Sequence, residues 1–233
     1  MTEHITIFLD RDDFEQRIGG GIPKSSIMII EGKDGCGKSI ISQRITYGAL
    51  MNNYTVTYIS TEMSILDFIR QMDSLNYPIR DFLLTDKLMF ISLTSLFGRT
   101  KFEENLILEL MKSKSKKLFE KDIIIIDSLS YPLVNSIPRM SFIKFLDFLQ
   151  KIKSKDKIII LTYNPFTLSR HIVEDLRNIA DIYFKADISS STGQLTRYIE
   201  IKRFRNAKQQ YELIIPFRVE PGLGLIVEIV TIV

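Results

Sequence analysis

Lys38 and Ser39 close the run Gly32-Lys33-Asp34-Gly35-Cys36-Gly37-Lys38-Ser39, which meets every fixed position of G-x-x-x-x-G-K-[ST]. These residue types suit one chemistry, the holding of a phosphate chain. Gly35 and Gly37 lack a Cβ, so the backbone there can take positive φ and turn its N–H groups toward anionic oxygens. Lys38 is a mobile cation long enough to reach β- and γ-phosphates. The Ser39 hydroxyl is a hard oxygen ligand suited to Mg²⁺. Asp34 and Cys36 complete the loop that would wrap the phosphates. The bare pattern arises by chance in roughly one chain of this length in a hundred, so its flanks must support it.

They do. Residues 27–30 are a short apolar run that reads as a buried strand and stops at Gly32. Residues 40–50 are interrupted only by Gly48 and can run as a helix, whose partly positive N-terminus adds to the anion site. Further along, residues 123–126 are four isoleucines in succession, the signature of a strand buried on both faces of a parallel sheet. Asp127 follows at once. That is the Walker B arrangement, in which the acid holds Mg²⁺ through water while Ser39 binds it directly.

Three other positions admit two readings each. Glu62 ends the second predicted strand, at the sheet edge where α/β proteins bind ligands, and a carboxylate there can orient or deprotonate an attacking water. It also suits a helix start, where the dipole favours an acid. Asn164 ends a later strand and reads as a γ-phosphate sensor or as a turn residue before Pro165. Arg203 and Arg205 alternate on one face of a strand end with Lys202 beside them, a phosphate-reaching cluster delivered to a neighbouring subunit or a solvated basic edge. His4 and His171 are too scattered for a metal site, and there is no C-x-x-C.

The remaining elements follow from periodicity and breakers. Residues 5–9 suggest a short strand and residues 12–18 a helical turn, ended by Gly19-Gly20-Gly21-Ile22-Pro23. Residues 54–60 read as a core strand. Ser64 reads as the N-cap of a helix to about Leu75, with Ile65, Phe68, Ile69 and Met72 on one face. Strands are predicted at 88–93, 157–162, 181–186, 195–203, 211–216 and 225–233, with turns at 189–193 and at Pro221-Gly222. Helices are predicted at 102–119, 140–152 and 170–179, the first with a Lys-rich end at 111–117. Helices and strands alternate to about Ala180 and strands dominate after it. The expectation is one doubly wound α/β domain over residues 1–233 with an antiparallel extension.

Composition narrows the class. The chain has 233 residues, 45% hydrophobic and 25% charged, enough for one large domain with a proper core. With 31 basic and 28 acidic residues the net charge is +3, too balanced to imply nucleic acid on charge alone. Cys36 is the single cysteine, so no intrachain disulfide forms. The first residues carry acids and show no export signal. The apolar stretch 223–233 contains Glu228 and is far short of the roughly 20 residues of a membrane helix.

Segments spread along nearly the whole chain resemble a single-domain RecA-superfamily ATPase of the clock-protein KaiC type. They are LD…RIGGGIP at 9–23, GKDGCGKS at 32–39, YISTE at 58–62, FIRQMDSLNY at 68–77, LMFISL at 88–93, IIIIDSLS at 123–130, IKRFRN at 201–206 and IPFRVEPGLGLIV at 215–227. The resemblance implies a RecA-like core with a mostly parallel sheet flanked by helices, and ATP and Mg²⁺ as ligands at Lys38, Ser39 and Asp127. Within that group the chain is most similar to the one-domain members associated with the archaellum motor. That implies a cytoplasmic subunit at the base of the archaeal motility filament, peripheral to the membrane through its partners, with the motor ATPase and other archaellum components as those partners. It also implies a homo-oligomeric ring, hexameric in the superfamily, and no nucleic acid.

Carried over position by position, Glu62 is similar to the first of two adjacent catalytic glutamates, and Met63 stands in place of the second. Arg203 and Arg205 match a Lys-x-Arg pair that touches a neighbour's γ-phosphate, with Arg for Lys and Asn206 for the usual Gly. With half of the paired carboxylates, water activation is weakened. The expectation is tight ATP binding with slow or absent hydrolysis, ATP acting as a switch. Two rival classes are a DNA-handling recombinase of the same superfamily, which needs long loops such as 131–140, and a clock-type autokinase, which needs a duplicated domain.

Overall fold

The architecture is that of a computed structural model, which describes residues 2–93, 111, 117–129, 138–191 and 194–228. The predicted helix at 102–119 and the loop at 131–140 therefore fall largely outside the described residues, as does the end of the strand expected at 225–233.

Four isoleucines in a row need apolar cover on both faces, and the sheet supplies it. Strand β6 (Ile123–Asp127) runs between β4 (Val56–Ser60) and β7 (Ile158–Tyr163), parallel to both. Strand β3 (Ser26–Glu31) lies between β7 and β8 (Ile182–Ser191), again parallel, and β5 (Leu88–Ser92) closes the β4 side. Strands β9 (Gln194–Phe204), β10 (Ile214–Glu220) and β11 (Gly224–Val227) extend the other side antiparallel. Among the described residues the order across the sheet is β11-β10-β9-β8-β3-β7-β6-β4-β5. This is the mostly parallel RecA-like sheet with an antiparallel C-terminal extension. The turn expected at 189–193 is shorter than predicted, because β8 runs on to Ser191 and pairs with Gln194.

Alternate strand residues feed two cores. Met28, Ile30, Ile123, Ile125, Ile158 and Ile160 face one side, and Ile27, Ile29, Ile124, Ile126, Ile159 and Leu161 face the other. Each of these side chains is fully buried, and burying an Ile contributes about 1.5–3 kcal/mol. On the first face lie α2 (Lys38–Met51) and α3 (Ile65–Ser74). On the second lie α5 (Arg139–Lys153) and α6 (Arg170–Ile179), with a short α4 (Arg80–Leu84) leading into β5.

Helix α2 is enclosed nearly all round, with Ile41 through Leu50 buried. An N-terminal ribbon covers part of it. Strand β1 (His4–Ile5) pairs antiparallel with β2 (Ile22–Pro23) around α1 (Phe14–Ile18). Gly48 lets the ribbon come close, because a Cβ there would strike the Ile7 carbonyl. The short strand expected at 5–9 appears as β1 and the helical turn expected at 12–18 as α1, whereas β2 and α4 were not expected from the sequence. A two-residue strand and a five-residue helix leave little periodic signal.

Ser64 caps α3 as expected, its Oγ accepting from the Asp67 amide at 3.2 Å. Phe68 and Met72 are the buried stripe, while Ile65 lies 38% exposed. Among the described residues no helix is long and apolar enough to cross a membrane.

Candidate phosphate-binding site

Register decides what meets at the sheet edge. Glu31 pairs with Tyr163 across β3 and β7, and Ser60 pairs with Asp127 across β4 and β6. The C-terminal ends of these four strands therefore align, and the segments leaving them (Gly32 onward, Thr61-Glu62, Ser128, Asn164) gather at one edge.

The phosphate loop has the form its sequence predicts. Gly35 and Gly37 have φ of 79° and 98°. Gly35 faces open space, while a Cβ on Gly37 would come within 2.9 Å of the Phe217 ring. Gly37 is the N-cap of α2 without a side-chain bond to the first-turn amides, and no acid stands in that turn. The amides are thus free to meet an anion. Lys38 Nζ donates to the Gly32 and Lys33 carbonyls at 2.9 and 2.8 Å, with Asp34 at 3.7 Å. Asn164 Nδ2 donates to Asp34 Oδ1 at 3.0 Å, and its own Oδ1 accepts from the Phe166 amide at 3.1 Å. Asn164 thus makes the turn its sequence suggests while touching the loop. Cys36 is buried, and burial pushes its thiol up, so it is packing rather than a reactive group.

Ser39 Oγ donates to Asp127 Oδ1 at 3.1 Å. Asp127 is 3% exposed, and its carboxylate also accepts from Thr162 Oγ1 at 2.6 Å and Tyr58 OH at 2.6 Å. A hydroxyl and a buried carboxylate at that spacing are the hard oxygen donors that Mg²⁺ takes, so the residues present fit the ion. Tyr58 is raised far above its ordinary value by burial and then by the Asp127 charge, which keeps its hydroxyl protonated and donating.

A cleft of about 500 Å³ opens beside these groups, lined by Gly37, Lys38, Ser39, Glu62, Arg197 and Val219 among others. Glu62 is exposed as a residue while its carboxyl leans toward the cleft. Partial burial, then the charges of Asp127 and Asp34, raise it above the ordinary carboxylate value, against the pull of Lys38. Met63 packs against the α2-side core, so the position next to Glu62 delivers no second acid. A larger cavity of about 620 Å³ adjoins Gly32 and Lys33 but contains none of Lys38, Ser39 and Asp127.

Arg203 and Arg205 stand elsewhere. Arg203 pairs with Tyr183 near the start of β8, toward the end of the sheet away from the loop. Its Nη1 donates to the Arg177 and Ala180 carbonyls at 2.7 and 2.8 Å, closing the C-terminus of α6. Arg205 lies 3.5 Å from Asp181. Within one chain neither joins the cleft.

The arginine that does is Arg197, which sequence reasoning passed over. Its Nε donates to the Gly35 carbonyl at 3.1 Å, and its Cδ is the nearest side-chain neighbour of Gly37 after Phe217. Nothing local marks it. It reaches the loop only because β9 pairs with β8, and β8 with β3.

The fold is RecA-like, with the glycine-rich loop of residues 32–39 and Asp127 brought together at one sheet edge. The family model for the KaiC ATPases matches residues 12–229. The chain belongs to that family, in the branch of the archaeal flagellar ATP-binding protein FlaH. It is 38% identical over 232 residues to the FlaH of Methanocaldococcus jannaschii, covering 100% of this chain and 99% of that protein. It is likewise 38% identical over 227 residues to the FlaH of Methanococcus voltae, covering 97% and 98%. The crystal structure of the flagellar accessory protein FlaH from M. jannaschii superposes with a TM-score of 0.92 over 98% of this chain and 100% of that one. A KaiC-like protein of Pyrococcus horikoshii, at 20% identity and a TM-score of 0.76 over 98% and 100%, shares the fold.

Proposed function

We propose that this protein binds ATP with Mg²⁺ in the cleft of Lys38, Ser39 and Asp127, hydrolyses it slowly or not at all, and uses its presence to control assembly with the archaellum motor ATPase at the cytoplasmic base of the filament. The observation that carries the reading is the meeting of Lys38 and Ser39 on one open cleft, with Asp127 hydrogen-bonded to Ser39 behind it and no acid beside Glu62 at position 63.

Lys38, the Gly35–Gly37 backbone and the first-turn amides of α2 receive the phosphates. Ser39 holds the metal directly and Asp127 through water. The ion neutralises charge on the β- and γ-phosphates when bound. Glu62 orients the attacking water, and without a partner acid at position 63 it does so weakly. Arg203 and Arg205 serve a neighbouring copy in a ring, which requires Arg203 to leave the carbonyls it now holds. The names of the FlaH relatives support ATP and the archaellum as the ligand and the setting.

The test is ATP binding and turnover by the purified chain, with particle size measured with and without ATP–Mg²⁺ and with the motor ATPase added. The expected result is ATP binding that Lys38→Ala abolishes, turnover well below typical enzyme rates of about 1–10³ per second, and motor binding that follows ATP. Turnover on the order of tens per second without partners would overturn slow hydrolysis. Motor binding indifferent to ATP and to Lys38→Ala would overturn the switch.

A further inference from the structure

Asp127 is more heavily engaged than a metal-holding carboxylate needs to be. Its Oδ1 accepts from Ser39 and Thr162, and its Oδ2 accepts from Tyr58. Tyr58 OH is also 3.0 Å from Ser42 Oγ, which in turn donates to the Ser39 carbonyl at 2.9 Å. Ser42 Oγ thus lies beside the Tyr58 hydroxyl while Tyr58 gives its proton to Asp127. Tyr58, Thr162 and Ser42 are each fully buried. Three hydroxyls donate to the Asp127 carboxylate, and two of them, Tyr58 and Thr162, do so out of reach of water, which holds the carboxylate in place.

Three strands and one helix supply the parts. Tyr58 comes from β4, Asp127 from β6, Thr162 from β7, and Ser39 and Ser42 from α2. Pairing between β4 and β6 puts Tyr58 beside Ile125 and Ser60 beside Asp127, so the Tyr58 hydroxyl reaches Asp127 from two residues back along its strand. The ring does not depend on that hydroxyl to pack. It lies 4.7 Å from Phe68 and 6.0 Å from Phe90, centroid to centroid. A phenylalanine would make the same contacts, so the apolar core does not explain a hydroxyl at this position.

We infer that Tyr58 and Thr162 are positioning residues for the metal ion, fixing Asp127 from behind so that Ser39 and Asp127 present one set geometry to Mg²⁺. The inference rests on the reading of Ser39 and Asp127 as the metal holders. Three of the roughly four lone-pair positions on the carboxylate are occupied. Asp127 therefore acts on metal-bound water, and Mg²⁺, which keeps several of its waters, suits that arrangement. Outer-shell partners of this kind typically set metal affinity by 10–100-fold.

The experiment titrates Mg²⁺ into the full chain in the presence of ATP and, separately, measures ATP binding with the metal chelated. The variants are Tyr58→Phe, Thr162→Val and Thr162→Ser. The expected result is a half-saturating Mg²⁺ concentration raised about tenfold or more in Tyr58→Phe and in Thr162→Val. Metal-free ATP affinity should stay within about twofold, and Thr162→Ser should return the midpoint toward wild type, because it keeps the donor. A general structural defect would lower both affinities together and would not be repaired by the hydroxyl alone. Midpoints within twofold of wild type in both Tyr58→Phe and Thr162→Val would overturn the inference while leaving the metal site standing. A wild-type protein whose ATP affinity ignores Mg²⁺ would overturn the metal site itself and the inference with it.

Discussion

Arg44 and Asp12 form an ion pair whose side chains are 0% and 1% exposed, with Nη2 to Oδ1 at 2.5 Å and Nε to Oδ2 at 2.7 Å. Arg44 also donates to the Ile7 carbonyl at 2.8 Å and lies over the Phe14 ring. It belongs to α2, the helix that begins with Lys38 and Ser39, and Asp12 belongs to the N-terminal ribbon. The pair locks one to the other. Removing one partner leaves the other charge buried and alone, which typically costs about 3–5 kcal/mol. Asp12→Ala should therefore lower unfolding stability by about that amount in urea denaturation. A loss below about 1 kcal/mol would mean that the guanidinium finds water or another acceptor.

Glu62 makes a prediction about pH. Its carboxyl is raised above the ordinary value by burial and by Asp127 and Asp34. Between the unfolded and folded values the native state binds more protons, so ionising Glu62 costs stability, and that cost is fully present above the folded value. Glu62→Gln should raise the Tm at pH 7, and the advantage should vanish as pH falls below the ordinary carboxylate range. Any residual ATP turnover should drop in the same variant, because the amide cannot accept a proton. A Tm difference that is flat with pH would show that the carboxyl is not in this environment.

Glu31 gives the opposite sign. Burial alone would raise it, but hydrogen bonds from Arg177 and Tyr163 and the Arg177 charge bring it below the ordinary value. Arg177 Nη2 and Nε sit 2.6 and 2.7 Å from its two oxygens. Glu31 therefore contributes stability above its unfolded value, lost as pH falls through the folded one. Arg177→Met should cost about 1–3 kcal/mol at neutral pH. The deficit should narrow on acidification, since protonating Glu31 removes the stranded charge. Stability curves of the two proteins against pH check this directly. Curves that stay parallel would exclude it.

Arg203 and Arg205 separate by what each does inside one chain. Arg203 closes two carbonyls at the end of α6, whereas Arg205 makes one long contact to Asp181 from a side chain 58% exposed. Arg203→Ala should lower monomer stability by about 1–2 kcal/mol, and Arg205→Ala by less than about 1. If both serve a neighbour's phosphate, ATP-dependent assembly is lost in both variants regardless of that difference. Denaturation and particle sizing of each variant read the two effects apart.

Much of the scaffold was legible because it rests on short-range pattern. The run of isoleucines at 123–126 appears as β6, the Ser64 cap sits where its spacing places it, and α6 occupies Arg170–Ile179 as predicted. Departures came where signals are brief or compete. Strand β2 and helix α4 are too short for periodicity, and the serines of 189–191 read as turn but continue β8 because β9 is there to pair with them.

By itself, then, the sequence determined the conformation of the loop at residues 32–39 and its flanks, because the glycines act through backbone geometry within eight contiguous residues. It also determined Asp127, since a strand end is where a buried sheet must release a polar group. Only the tertiary structure decided which side chains attend them. Tyr58 lies 69 positions from Asp127, Thr162 lies 35 positions away, and Arg197 lies 162 positions from Gly35. Those meetings are fixed by strand order and register, which sum the packing of the whole sheet. The same register carries Arg203 to the far end of the sheet, where a residue spaced like a phosphate ligand spends its donors on the end of a helix.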